Sequence, residues 1–134
     1  MKRIRLVIAM TIFVWAAVSC DDELFGPRSL EGTWNVTENS EAHGPQTFIV
    51  GIEYISGDET RIIIGNFGNL DMIVEVEASI SGLILTIPGQ TVQDSRRNNF
   101  TISGSGTATT NLRKINWNYR IDTDDYTAVF EKRN

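Results

Sequence analysis

From Gly32 onward, apolar residues recur at every second position in one short segment after another. A period of two places successive side chains on opposite faces of an extended strand, whereas a helix would need a period near 3.6. The segment "DMIVEVEASI" is the clearest case, with Met72, Val74, Val76, Ala78 and Ile80 alternating with Asp71, Ile73, Glu75, Glu77 and Ser79. The same phase runs through Trp34 and Val36, through Phe48, Val50, Ile52 and Tyr54, and through Ile115, Trp117, Tyr119 and Ile121. No segment in this region carries a convincing helical pattern. The pattern predicts an all-β domain with one buried and one wet face per strand.

Turn residues separate these segments. "SGDET" turns the chain before "RIIIGNF", Ser81-Gly82 suits a tight hairpin into "LILTIP", and Asp122-Thr123-Asp124-Asp125 joins "RKINWNYRI" to "YTAVFEK". Pro88-Gly89 reads as a strand end, and Ser103-Gly104-Ser105-Gly106 as a flexible turn or bulge. Eight or nine short strands cannot lie as one flat open sheet without long exposed edges, so they must close into a barrel or fold into a sandwich. Successive hairpins without a crossover favour a small antiparallel up-and-down β-barrel, with a β-sandwich as the alternative.

The N-terminus has a different character. Lys2, Arg3 and Arg5 precede a run of apolar or small residues from Leu6 to Val18, interrupted only by Thr11. This is the layout of a secretory signal. As a helix the run would span only about 20 Å against a hydrocarbon core of about 30 Å, too short for a transmembrane anchor. The sole cysteine follows in Ala17-Val18-Ser19-Cys20, trailed by Asp21, Asp22 and Glu23. With no second cysteine there is no intrachain disulfide, and adjacent carboxylates disfavour a reactive thiolate. The tetrapeptide resembles the lipobox of bacterial lipoproteins, which implies acylation at Cys20 and anchoring through N-terminal acyl chains. The acids after it resemble the surface-export signal of lipoproteins in some Gram-negative gut and oral bacteria. That resemblance implies an outer-membrane, lipid-anchored protein displayed at the cell surface, the alternative being the periplasmic leaflet. The expected organisation is a signal peptide over residues 1–19, a lipidated cysteine and short tether over 20–29, and one domain over 30–134.

Removing Lys2, Arg3 and Arg5 from the 12 basic residues leaves 9 against 17 acidic ones, a net charge of about −8. Such a surface repels phosphate backbones and anionic head groups, so nucleic acid is not an expected partner and membrane attachment falls to the acyl chains.

"LEGTWNV" (Leu30 to Val36) resembles the Gly-X-Trp signature of lipocalins and related calycin barrels, in which the tryptophan plugs one end of the barrel. "IIIGNFGNL" and "LILTIPGQTV" resemble the small lipocalin-like domains of lipoproteins from the same bacterial group. The resemblance implies a lipocalin-like barrel over residues 30–134 and a non-enzymatic, ligand-binding role.

Candidate chemistry is sparse. His43 is the only histidine, in the loop "NSEAHGPQ" with Glu41 two residues away, and such a lone residue is expected to be solvated. Glu75 and Glu77 sit on a wet strand face, where solubility explains them. Asp122, Asp124 and Asp125 fit a turn, and "DTDD" lacks the remaining ligands of a calcium loop. No catalytic residue, metal site or cofactor is expected. The aromatic residues either fill the interior of a small barrel or line an open lumen. In the second case Tyr54, Trp117 and Tyr119 are the expected ligand contacts, each an apolar body with a hydrogen-bonding tip. Two functions remain: a monomeric, lipid-anchored module binding a small apolar molecule, a glycan or an envelope protein, and a filled-barrel interaction protein working through its loops.

Overall fold

The computed structural model describes residues 29–133. The signal segment, Cys20 and most of the tether lie outside the described residues. Eight antiparallel strands follow one another: β1 (Gly32–Ser40), β2 (Gly44–Ile55), β3 (Asp58–Gly65), β4 (Glu75–Ser81), β5 (Ile84–Gln93), β6 (Asn99–Ala108), β7 (Lys114–Ile121) and β8 (Asp124–Lys132). Each pairs with the next, and β1 also pairs with β8 from Trp34↔Lys132 to Ser40↔Tyr126, closing an up-and-down barrel. Closure satisfies the sheet edges that the sequence could not leave open, and it excludes the sandwich. The Gly57 and Gly82 turns lie with the start of β1 at what we term the near end. The β1–β2, β3–β4, β5–β6 and β7–β8 loops gather at the far end.

The expected alternation places the core inside. Trp34, Ile62, Ile64, Phe67, Val76, Ala78, Leu85, Ile102, Ile115 and Phe130 are all 0% exposed, so no void touching them admits a water molecule. The interior is filled, as barrels of about eight strands allow. Outward positions such as Thr33, Asn35, Thr37 and Asn39 on β1 and Lys114, Asn116, Asn118 and Arg120 on β7 are exposed and polar. That is the reverse of a membrane-spanning barrel, whose outer wall is apolar.

Trp34 plugs the near end, as the Gly-X-Trp resemblance implies. Its Nε1 donates to the Leu30 carbonyl (2.9 Å), and the Lys132 ammonium stands 6.0 Å from its ring centroid. Lys132 also donates to the Ser29 carbonyl, which ties the incoming chain to the end of β8.

Inside, register matches large residues to small ones. One cross-strand row reads Gly106, Trp117, Ala128, Glu38, Gln46, and the next reads Gly104, Tyr119, Tyr126, Ser40, Gly44. Ser103-Gly104-Ser105-Gly106 is therefore no turn or flexible bulge. It is the middle of β6, paired without a break to β7. A Cβ at Gly106 would lie 2.6 Å from Cε3 of Trp117, and one at Gly104 would lie 2.5 Å from the Tyr119 Cβ. Gly106 leaves room for the Trp117 ring, and Gly104 for the close approach of the β7 main chain at Asn118 and Tyr119.

Pro88-Gly89 does not end its strand either. β5 continues to Gln93, and the register with β6 slips by one residue between Ile87 and Gln90. The slip is a β-bulge, one of the positions where a strand tolerates proline. Beyond it β4 and β5 no longer pair, and the Gln90 amide bridges the seam, accepting from the Glu77 N–H (3.0 Å) and donating to the Glu77 carbonyl (2.8 Å). Met72 departs from the predicted phase. It sits in the turn before β4 and is 80% exposed, while Val74, Val76 and Ala78 are buried as expected.

Because the Trp117 ring fills the space over Gly106, Gly106→Val should destabilise the fold by about 1–3 kcal/mol through overpacking. The outward neighbour Ser105→Val should change stability by no more than about 0.5 kcal/mol. Urea denaturation of the two variants checks this, and equal midpoints would mean that the ring does not lie over the glycine.

Candidate functional site

The far end holds the polar cluster of the interior. Glu38 follows Trp34 and Val36 in the inward phase of β1 and is 1% exposed. Gln46, its register partner on β2, donates Nε2–H to Oε1 (2.5 Å), and the Tyr119 hydroxyl donates to Oε2 from β7. Ala128 occupies the β8 position between Trp117 and Glu38 in their row and presents only a methyl group. Burial raises the Glu38 pKa above its ordinary value of 4.5, while the Gln46 hydrogen bond and the nearby His43 pull it back in part. Burying a carboxylate costs about several kcal/mol, and hydrogen bonds to a charged group return roughly 1.5–3 kcal/mol each. The two roughly cancel, so Glu38 adds little net stability that an apolar residue would not also provide.

Aromatic rings stand above it. Tyr119 and Tyr126 are stacked with centroids 5.6 Å apart and planes 18° apart, and Phe67 packs against Tyr119 in a tilted contact at 4.6 Å. His43 lies on Tyr126 at 6.2 Å and 16°, with Nε2 3.4 Å from Oδ2 of Asp124. The histidine thus meets Asp124, not the neighbouring Glu41. The expected solvation holds in part, its side chain being 61% exposed. The Ser40 hydroxyl accepts the backbone N–H of His43 (3.0 Å), which fixes the β1–β2 loop over the stack. Burial and the carboxylates of Asp124, Glu38 and Asp122 together push the Tyr126 phenol above its ordinary range. A groove of about 1040 Å³ runs over this rim, from Asn39, Asn118 and Thr127 on the outer wall past Tyr119, Tyr126 and Asp124.

The three aromatic residues expected from sequence do not share one surface. Tyr54 lies near the Trp34 plug, where its hydroxyl accepts the Leu30 N–H (3.2 Å). Trp117 is 1% exposed in the middle of the barrel, 5.6 Å from Phe130. Its Nε1–H is the one buried side-chain polar group, among the described residues, without a hydrogen-bond partner. Tyr119 alone of the three belongs to the far-end cluster. Glu38, Tyr126 and Asp124 join Tyr119 there instead, and extending the Trp34–Val36 phase by one step turns Glu38 inward.

Several other acids have structural partners. Glu77 pairs with Arg61, Asp125 with Arg120 (3.0 Å), and the Asp122 carboxylate accepts the Thr101 N–H (2.9 Å). Asp71 accepts from both the backbone (3.0 Å) and the hydroxyl (2.5 Å) of Ser95, tying two far-end loops together.

No family model and no curated protein matches the chain. Among solved structures it is similar to a redesigned β barrel, b11L5F_LGL, with 13% identity over 78% of this chain and 92% of that one and a TM-score of 0.55. It is also similar to a second redesigned β barrel, mFAP1, bound to DFHBI, with 16% identity over 79% of this chain and 100% of that one and a TM-score of 0.57. At these identities the likeness defines the class by fold alone: a small closed antiparallel barrel.

With a raised pKa in the folded state, Glu38 contributes stability that is fully present below about 4.5 and is lost as pH climbs through the folded value. Glu38→Gln cannot titrate. Wild type should therefore lose stability relative to this variant as pH rises from 4.5 toward neutrality, read by denaturation midpoints at a series of pH values. A pH-independent difference contradicts the assignment.

Proposed function

We propose that this chain is a lipid-anchored, non-enzymatic binding module that engages its ligand at the far end of the barrel. The observation that carries the reading is Glu38, an ionisable side chain sealed under a stack of aromatic rings at a place where stability alone does not require it. The filled interior argues against a ligand held deep in the lumen. A barrel of similar fold, mFAP1, has been solved bound to the small molecule DFHBI, which is in keeping with a binding role for the scaffold.

Anchoring rests on the lipobox-like Ala17-Val18-Ser19-Cys20. Residues 21–28 could span at most about 29 Å. With Ser29 fastened to Lys132 at the near end, an anchored barrel would turn its far-end loops away from the membrane. Display at the outer-membrane surface would then present those loops to the surroundings.

A second reading, an interaction protein working through its loops, is favoured by Met72 and Ile73. They are 80% and 60% exposed at the far-end β3–β4 loop, an apolar tip with no structural need to be wet.

Two measurements test the proposal. Cys20→Ala should move the protein from the detergent phase to the aqueous phase, and a variant that stays with detergent removes the lipoprotein reading. Native mass spectrometry of protein purified from its own envelope extract should retain a small molecule that Tyr126→Ala loses. A clean apo mass favours the loop-interaction reading instead.

A further inference from the structure

The far end has a definite chemical preference. Three near-parallel rings, Tyr119, Tyr126 and His43, form a stack whose outermost member sits on the β1–β2 loop with Asp124 at its edge. His43 is the one member of the stack able to carry positive charge, and it lies against a tyrosine ring with a carboxylate at its edge. That arrangement is the one expected of a bound organic cation: an aromatic face for the ring quadrupole and a carboxylate for the charge. The chain's own imidazole thus fills a place with a cation's requirements, and its side chain is exposed enough to be displaced into solvent.

The charges behind the rings agree. Glu38 sits beneath Tyr119 with neutral hydrogen-bond donors only, and Asp122 and Asp124 flank Tyr126. Glu38 is buried, so its charge is screened less than it would be in water, while Asp122 and Asp124 carry theirs at the wetter rim. They attract cations and repel carboxylate or phosphate ligands. A groove that reaches Tyr126 and Asp124 from the outer wall, where Arg120 is held by Asp125, gives room beside them for the apolar part of a ligand.

We propose that the far end is a binding site for a small organic cation, an amine or quaternary ammonium carrying an apolar or aromatic group, with Asp124 as the direct counter-ion, Tyr126 as the ring face and Glu38 as the buried charge behind them. This inference deepens the binding-module reading and rests on it.

The test is a titration of ¹⁵N-labelled protein with benzyltrimethylammonium, with benzyl alcohol and phenylacetate as neutral and anionic counterparts, followed by amide shifts. The cation should saturate shifts at Ser40, His43, Asp124 and Tyr126 with at least tenfold tighter affinity than benzyl alcohol, and phenylacetate should not bind there. Asp124→Asn, an isosteric change at the partly exposed start of β8, should weaken the cation about tenfold without altering the rest of the spectrum. Glu38→Gln should weaken it as well, and His43→Ala, which clears the ring face, should bind at least as tightly as wild type. Equal binding of all three probes at the far end, or an unchanged affinity in Asp124→Asn, overturns the cation preference while leaving the binding-module reading in place. No far-end shift with any probe overturns both.

Discussion

The pairing of β1 with both β2 and β8 is the interaction on which the rest of the structure depends. Residues 34 to 40 are paired on both edges, which turns a chain of hairpins into a closed wall with a single interior. Closure also brings Glu38 beside Gln46 and within reach of Tyr119, which lies 81 residues away in sequence. Without it Trp34 would have no lumen to plug, and β8 would be an open edge available for pairing with another chain.

A closed interior of fixed width must then be filled without overcrowding. The solution is visible in the rows that cross β6, β7 and β8, where Trp117 lies between Gly106 and Ala128, and Tyr119, stacked on Tyr126, is paired with Gly104. Large rings next to residues with little or no side chain let the wall bend while the core stays dense. The same need explains the Pro88-Gly89 bulge. There the wall changes register, and the Gln90 amide substitutes for the strand pairing that is lost.

Much of this was legible in the sequence, because a period of two is a local property that survives any tertiary arrangement. The inward set from Val50 and Ile52 to Trp117 and Tyr119 follows from it directly, as does the plugging role of Trp34 from Gly-X-Trp. What escaped depends on register. Gly104 and Gly106 look like a flexible segment until Tyr119 and Trp117 are known to lie opposite them, and proline reads as a terminator until the bulge is seen. The His43–Asp124 contact joins the β1–β2 loop to the start of β8, whose proximity exists only in the closed barrel. Glu38 is a different case: its phase was readable, but a carboxylate at the end of a strand is ordinarily taken for a wet residue. Met72 erred in the other direction, since an apolar residue in phase with a strand lies in the turn just before it.

Taken together, a filled interior and a charged, aromatic far end divide the barrel into a part that keeps its shape and a part that can recognise something. A dry apolar cavity large enough for a ligand takes up xenon, so xenon pressure tests the division most directly. Followed by NMR or in pressurised crystals, xenon should find no saturable site next to Trp117, Ala128 or Ile102. A bound xenon atom among those side chains would contradict the account and return the ligand to the lumen.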